Sequence, residues 1–411
     1  AWKISNEKFL KDVFWINLLK LRASYGKTGQ DNLGSSLYGV YEPSGFKVGF
    51  NDNGLFYVPC VSMGTNYPDV SWQKTIMKNI GLDFYLFKNR VSGSIDVFRN
   101  DVTSLLGYAS TSPLAIYPTR PINGGHFYRQ GWEIMLDTKN MVGDFNWNTQ
   151  LTFSKTNSFW KERMPNYDYR SYQKRNKEPM NAYYYYKMTG IINADRSNMP
   201  ESQKTLQAEA QFPGCPIIDD KNNDGKIDEN DIYLKDNTPD IYIGFGNTFT
   251  YKNWEFSFFM YGQFGILKSN IAYRAALPGP LAVDYPENTN KYAYLLWNSQ
   301  TNPNGTRPGL AVDRMGALPG GAGVNIDMEN ASFVRMRNIT LSYNFRDKIL
   351  GKLKKYVKGI KVYADVQNPF VISKFKGFDP EIYTGGGGAN NASRGEYPQA
   401  RTFTLGTNIV F

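Results

Sequence analysis

Apolar and polar residues alternate one by one along ten stretches of the chain, which is the pattern of β-strands that bury a single face. Around Phe145 and Trp147 the alternation is strict, because apolar side chains take the odd positions and Asn146, Asn148 and Gln150 take even ones. The predicted strands cover residues 19–26, 74–87, 90–102, 126–138, 145–156, 241–251, 254–264, 333–345, 359–368 and 401–411.

The connections between the predicted strands are alternately long and short. Tight turns stand at 88–89 and 252–253, whereas the longest connection covers 157–240. Barrels of bacterial outer membranes have short periplasmic turns and long extracellular loops, and most of these stretches are as long as the about 9–11 residues that a tilted strand needs to cross a bilayer. The sequence predicts an all-β fold, namely an antiparallel transmembrane up-and-down β-barrel with long extracellular loops and short periplasmic turns.

A soluble β-sandwich or propeller is the alternative to a barrel. Either fold also buries one face of each strand, but neither has a reason to place all its long connections at one end, and no repeat of equal length is visible. The two tight turns predict the register of the strands that they connect, and a slip by one residue would destroy the match of apolar residues across the strands. They place Leu86 opposite Val91 and Phe249 opposite Phe256, so that apolar residues face apolar residues.

Composition removes several function classes. No run of about 18 apolar residues predicts a transmembrane helix, and His126 is the sole histidine, which leaves chemistry based on several imidazoles without its residues. The net charge of +10 does not indicate nucleic-acid binding, since no recognition helix or basic-aromatic module accompanies it. Cys60 and Cys215 are the two cysteines, and whether they pair stays open.

The longest connection contains the pattern Asp-x-Asn-x-Asp-Gly-x-Ile-x-x-x-Asp, which is that of an EF-hand calcium loop with Asp at its last position. Calcium prefers six to eight oxygen ligands, and Ile227 is expected to anchor the loop to a small core. A solvated turn is the alternative, and flanking helices are not evident. The predicted ligands of a structural calcium ion are Asp220, Asn222, Asp224, the backbone carbonyl of Lys226, and Asp231. Asp228 is expected to act through water.

The same connection is rich in tyrosine, with four in a row at 183–186. Such rings stack on sugar rings or peptide side chains in a binding site, or they pack a large loop upon itself. Of the two interpretations, the pattern favours packing.

Many separate motifs resemble SusC/RagA-type TonB-dependent outer-membrane transporters, in the order in which that family has them. They begin with INLLKLRASYGKTGQDNLG and a hairpin at DVSWQKTIMKNIGLDFYLFKNRVSGSIDVFRN, and they end with KVYADVQNPF and YPQARTFTLGTNIVF. Between them stand INGGHFYRQGWEI, DDKNNDGKIDENDI, GFGNTFTYKNWEFSFFMYG and FVRMRNITLSYNF. The resemblance covers essentially the whole chain.

The resemblance implies that residues 1–411 are the C-terminal portion of a TonB-dependent barrel domain, about ten strands of a barrel of roughly 22. It implies a multi-pass protein of the Gram-negative outer membrane and active import of an oligosaccharide or oligopeptide. The implied partners are a SusD-like surface lipoprotein, outer-membrane lipid, and TonB acting through an N-terminal plug that this chain lacks. A passive porin or surface adhesin is the alternative function, and a barrel enzyme is disfavoured because no catalytic residues are evident.

Overall fold

Ten long antiparallel strands make up most of the fold of this computed structural model. The structure describes residues 1–30, 41–43, 47–51, 54–57, 61–63, 70–110, 119–167, 169–173, 177–270, 291–309, 315–345, 351, 356–377, 379–381 and 399–411. The long strands are β1 (Ile16–Gln30), β2 (Gln73–Leu86), β3 (Val91–Ser110), β4 (Thr119–Met141), β5 (Phe145–Glu162), β6 (Ile241–Tyr251), β7 (Trp254–Phe264), β8 (Phe333–Phe345), β9 (Gly359–Gln367) and β10 (Thr402–Val410).

The ten strands form one sheet in which each strand pairs with the next along the chain. Two short strands complete this 12-stranded sheet: Trp2–Lys3 pairs with β1, and Val371–Ser373 pairs with β8. The predicted all-β, antiparallel, up-and-down arrangement is therefore confirmed. Because direction reverses at every strand, the turns at 87–90, 142–144 and 252–253 share one end of the sheet, and the connections 163–240 and 265–332 share the other.

The registers predicted from the two tight turns are confirmed. Leu86 lies opposite Val91 at the first turn, and Phe249 lies opposite Phe256 at the second. Phe87, Lys88 and Asn89 have φ angles of 53°, 57° and 61°, so three consecutive residues of the first turn take left-handed values.

Four strands are longer than the sequence predicts. β1, β3, β4 and β5 have 15, 20, 23 and 18 residues, and the predicted 23-residue connection at 103–125 shrinks to 111–118. The glycines and prolines of this region suggested a loop, but they are accommodated inside the β3–β4 ladder, where Ser104 and Gly125 take φ angles of 54° and 68°. At about 3.3 Å per residue, β4 exceeds the thickness of a bilayer and must project beyond it.

The two faces of the sheet differ in chemistry along its whole width. Cross-strand partners share a face, so one continuous row runs through Leu21, Leu82, Ile95, Ile134 and Phe153. On this apolar face, the exposed side chains include Ile80 at 61% and Leu405 at 80% of their full accessible area. Within the described part of the chain, no second layer covers these residues, which is what contact with lipid requires and what a sandwich forbids.

The buried hydrophobic cluster of the described residues lies outside the sheet. It forms a loop unit from the connection 163–240 and from residues 315–324 of a later connection. Its three-stranded sheet has the order Tyr233–Asp236, Ala182–Tyr186, Gly323–Val324. The cluster members are Tyr172, Tyr186, Ile192, Leu206, Ala210, Cys215, Ile217, Ile218, Ile227, Ile232, Met315, Leu318 and Ala322.

The remaining elements are short. Paired strands are Tyr41–Pro43 with Val61–Met63, Lys47–Asn51 with Gly54–Tyr57, Met188–Ile191 with Pro216–Ile218, and Leu267–Ser269 with Met328–Asn330. The 3₁₀ helices are Ile4–Asn6, Ser171–Gln173, Glu201–Thr205, Ala208–Gln211, Glu229–Asp231, Lys291–Leu295 and Pro319–Gly321. Among the residues that the structure describes, no helix has the length and apolar character needed to span a membrane.

Candidate functional site

The polar face of the sheet carries an ion-pair network on β1, β2 and β3. Arg22 binds Asp83 at 2.8 Å and Asp96 at 3.0 Å, and Lys20 lies 3.3 Å from Asp83. The register explains the cluster, because Lys20 is opposite Asp83 while Gly81 lies between Arg22 and Asp96. A Cβ on Gly81 would stand 2.4 Å from an Asp96 oxygen, so the missing side chain makes room for the network.

A cavity of about 540 Å³ opens on the same polar face, across β3 to β8. Asn148 and Gln150, two of the polar positions in the alternating pattern of β5, line it together with Asp137 and Lys139. Phe259 adds an aromatic ring. The arrangement offers hydrogen-bond donors, acceptors and one apolar surface, which suits a hydrated solute rather than a lipid tail.

A buried ion pair fixes a second segment to the polar face. Arg335 of β8 lies 2.5 Å from Asp379 and 2.6 Å from Glu381, and Arg335 and Asp379 are almost fully buried. These residues were not predicted from the sequence, since an isolated Arg in a strand has no visible partner in sequence.

The first half of the predicted calcium loop folds around its own oxygen atoms. The carboxylate of Asp220 accepts hydrogen bonds from the N–H groups of Asp224 at 3.2 Å and Gly225 at 2.9 Å. Asn222 Oδ1 accepts from the same Asp224 N–H at 3.2 Å. Gly225 has a φ of 83°, so the sharp bend falls where the pattern predicts it. The structure thus brings Asp220, Asn222 and Asp224 together.

The last predicted ligand has a different place. Asp231 is fully buried, and its two oxygens accept hydrogen bonds from the N–H groups of Lys221 at 2.9 Å and Asp228 at 2.8 Å. It thereby ties the start of the loop to its end. Among the described residues, no three His, Cys, Asp or Glu side chains form a group suited to a metal ion. Asp231 therefore does not join Asp220 and Asp224 in such a group, and the calcium site stays a prediction.

Ile227 anchors the loop to a small hydrophobic core, as the sequence predicts. Ile227 is 4% exposed and belongs to the buried cluster of the loop unit. The strand Pro216–Ile218 precedes the loop, the 3₁₀ helix Glu229–Asp231 forms its last residues, and the strand Tyr233–Asp236 follows it. The helices of a true EF-hand are therefore absent on both sides.

The tyrosine run alternates between the two faces of the small sheet. Tyr186 is buried in the cluster, with Tyr184 packed against it. On the other face, Tyr183 stacks on Tyr185 at 5.1 Å, and Tyr185 stacks on the cross-strand Tyr233 at 5.8 Å. Burial and the Glu178 carboxylate, which accepts a hydrogen bond from the hydroxyl, raise the pKa of Tyr184 to about 12. These contacts accord with packing of the loop unit upon itself.

Cys215 is buried in the same cluster as a free thiol. Cys60 lies outside the described residues. Whether the two cysteines pair therefore stays open.

Comparisons with known proteins agree on one kind of protein. No protein-family model matches the chain. The TonB-dependent receptor SusC of Bacteroides thetaiotaomicron is 29% identical over an alignment that covers all of this chain and 39% of the relative. The TonB-dependent receptor P39 of Formosa agariphila is 27% identical, with all of this chain and 42% of the relative covered. The chain thus spans about two fifths of the length of these relatives.

Solved structures show the same fold. The RagAB peptide importer in its closed-closed state matches 99% of this chain and 42% of its own chain, with a TM-score of 0.74 and 20% identity. The structure of the RagAB peptide transporter gives a TM-score of 0.71 at 19% identity over the same share.

The two-faced sheet and these likenesses define the class: the chain is part of an outer-membrane β-barrel. The predicted resemblance to SusC/RagA-type TonB-dependent receptors is confirmed. The relatives are named as receptors, and the matched structures as transporters.

Proposed function

We propose that the chain forms the C-terminal portion of the barrel of a SusC-type importer, which takes a large nutrient across the outer membrane. The observation that carries the proposal is the division of one sheet into a continuous apolar face and a polar face with ion pairs and a cavity. Strand pairing satisfies the backbone in lipid, and the polar face supplies a hydrated path. No enzymatic step is part of this function.

The partners follow from the same proposal. The loop unit of 163–240 and 315–324, at the long-connection end of the sheet, would be extracellular and would contact a SusD-like surface lipoprotein. TonB would act through an N-terminal plug outside this chain. Support comes from the relatives named for TonB dependence and from the two-component RagAB importer.

Energy dependence tests active import against a passive porin. Cells that produce the full-length protein take up a fluorescent oligosaccharide or oligopeptide, and a protonophore is expected to abolish that uptake, because TonB draws on the inner-membrane proton gradient. Uptake that persists without the gradient would instead identify a porin. Absence of uptake in the presence of surface binding would identify an adhesin, and hydrolysis of the probe would indicate an enzyme.

The substrate class is an oligosaccharide or an oligopeptide. The matched RagAB protein is a peptide transporter. The polar cavity lined by Asn148 and Gln150 suits an oligosaccharide as well as an oligopeptide. A deletion strain grown on each class as sole nutrient separates them, since growth fails on the transported class alone and returns with the full-length gene.

We further propose that the loop at 220–231 binds a structural calcium ion. Asp220, Asn222 and Asp224 already lie together, and the carbonyl of Lys226 would be a fourth ligand. Asp231 would have to move toward these residues to complete the set, and each of its oxygens has a second lone pair beside the one that accepts a hydrogen bond. The ion would stiffen the loop unit by offsetting the charge of its carboxylates.

Calcium titration by calorimetry tests this site. Asp224→Asn keeps the hydrogen bonds of the bend but removes one charge, and binding is expected to weaken by about tenfold or more. Asp195→Asn is the matched control, because Asp195 is an exposed carboxylate of the same unit that binds the Ser197 N–H. Equal heats for the parent and Asp224→Asn would exclude the site.

A further inference from the structure

On the apolar face, a row of polar residues crosses five strands where the hydrophobic rows end. Tyr25, Lys78, Arg99, Gln130 and Asn157 are successive cross-strand partners on β1 to β5. The next row toward the tight turns holds Ala23, Ile80, Val97 and Trp132, and then Lys155. The polar row therefore marks where the apolar surface of these five strands ends.

These two rows surround a cavity of about 900 Å³. Its floor is apolar, from Ile80, Val97 and Trp132, and its rim carries three cations, Lys78, Arg99 and Lys155. Such a site combines an apolar base with a positively charged edge. It therefore complements a ligand that has an apolar part and an anionic headgroup.

The charges at the rim are incompletely balanced by protein. Asp101 is the carboxylate beside them, 3.3 Å from Arg99 and 3.8 Å from Lys78. One carboxylate faces both of these cations, and their side chains remain 42% and 55% exposed. The Arg99 guanidinium lies 4.1 Å above the Tyr128 ring, which holds it in place on the outer side of the sheet.

We propose that this cavity binds the phosphorylated headgroup of an anionic lipid in the leaflet at the long-connection end of the barrel. Phosphate oxygens would accept hydrogen bonds from Arg99, Lys78 and Lys155, and the first acyl carbons would cover Ile80, Val97 and Trp132. The location at the edge of the apolar face selects a lipid rather than a soluble anion, because the site opens onto the membrane.

Binding of a defined lipid to the purified full-length protein tests the proposal. Native mass spectrometry in detergent compares a bis-phosphorylated glycolipid with the same lipid after enzymatic removal of its phosphates. The phosphorylated form is expected to stay bound. Each cation changed to Gln (Lys78→Gln, Arg99→Gln, Lys155→Gln) is expected to weaken binding roughly fivefold, because a Lys or Arg near an anionic surface contributes about 1 kcal/mol.

The control variants lose the same charge at the opposite end. Lys88→Gln and Lys252→Gln lie in the tight turns, and they are expected to bind as the parent does. A heat-shifted gel band verifies that each variant barrel is folded. Equal retention of the dephosphorylated lipid, equal loss in the turn variants, or complete competition by inorganic phosphate would each overturn the proposal.

Discussion

At the scale of single residues, Asp231 shows how one buried carboxylate can organise a loop. It is fully buried, and its side chain accepts hydrogen bonds from the N–H groups of Lys221 and Asp228. The first of these bonds connects residues that are ten positions apart in the loop. With Asp228, Asp231 forms a capping box at the 3₁₀ helix Glu229–Asp231. The end of the loop is therefore defined by protein contacts, whether or not an ion is bound.

Asp231→Ala is expected to loosen the loop unit. Two N–H groups would lose their acceptor, and each unsatisfied buried group costs about 1–3 kcal/mol. Hydrogen exchange of the Lys221 and Asp228 amides measures the loss as faster exchange. Asp195→Ala, which removes an exposed carboxylate, should leave both amides protected, and unchanged exchange in Asp231→Ala would contradict the role given to this residue.

The buried thiol of Cys215 provides a pH-dependent signal. Burial raises the pKa of this thiol from its ordinary value to about 11, because the thiolate would be desolvated in the cluster. Only the unfolded thiol ionises between these two values, so the stability of the loop unit is expected to decrease as the pH rises through this window.

Alkylation of Cys215 in a Cys60→Ser background checks this expectation. The reaction with iodoacetamide should reach half its maximal rate near pH 11 in the folded protein and near the ordinary thiol value, about 8.5, after unfolding in urea. A folded protein that titrates like the unfolded one would show that the thiol is not buried.

At the scale of elements, close strand contact depends on individual glycines. A Cβ on Gly93 of β3 would stand 2.1 Å from the Met135 carbonyl oxygen of β4 and 2.8 Å from the Phe84 ring of β2. The first contact is with backbone, which cannot move without displacing the neighbouring strand.

Gly93→Ala is expected to destabilise the β3–β4 pair by about 1–3 kcal/mol, the usual cost of overpacking. The measurement is the urea midpoint of the refolded full-length protein in lipid vesicles. Gly143→Ala is the matched control, since nothing lies within 4 Å of its Cβ position. Equal midpoints for the two variants would contradict the observed β3–β4 contact.

Strand existence and register could be predicted from sequence where alternation is strict and a turn is tight. The bounds of β6, β7 and β8 match the predicted ones. For β6 and β7, the two-residue turn Lys252-Asn253 permits a single register. Prediction failed at 103–125, where Pro121 and Gly124 lie inside the β3–β4 ladder. It also failed to show that Met315 and Leu318 complete the core of the loop unit, since such a long-range contact has no local pattern.

The candidate sites were predicted to different degrees. Asp220, Asn222 and Asp224 lie in one short motif whose backbone geometry is local, so the sequence placed them together correctly. The Arg22–Asp83–Asp96 network depends on three strands in register, and the cation row at Lys78 and Arg99 does so too. Such sites become visible only when the sheet is assembled.

At the scale of the whole molecule, the two faces of the sheet predict opposite responses to charge. Ile95 points to the apolar face, and the neighbouring Ser94 points to the polar one. An Arg at the lipid face near the bilayer midplane costs about 2–4 kcal/mol, whereas an Arg on a hydrated face keeps its water.

Ile95→Arg should therefore lower the unfolding free energy in lipid vesicles by roughly that amount, and Ser94→Arg should have a much smaller effect. Tryptophan fluorescence during urea unfolding of the full-length protein measures both. Equal destabilisation by the two variants would show that the apolar face does not contact hydrocarbon.

The buried cluster lies in the loop unit, outside the 12-stranded sheet, so the two parts of the molecule depend differently on lipid for their stability. The loop unit has a hydrophobic core of its own and can stay folded in water, whereas the apolar face of the sheet is stabilised by the surrounding lipid. Removal of the lipid should then lower the unfolding temperature of the sheet more than that of the loop unit, so the protein has two unfolding transitions within a single polypeptide.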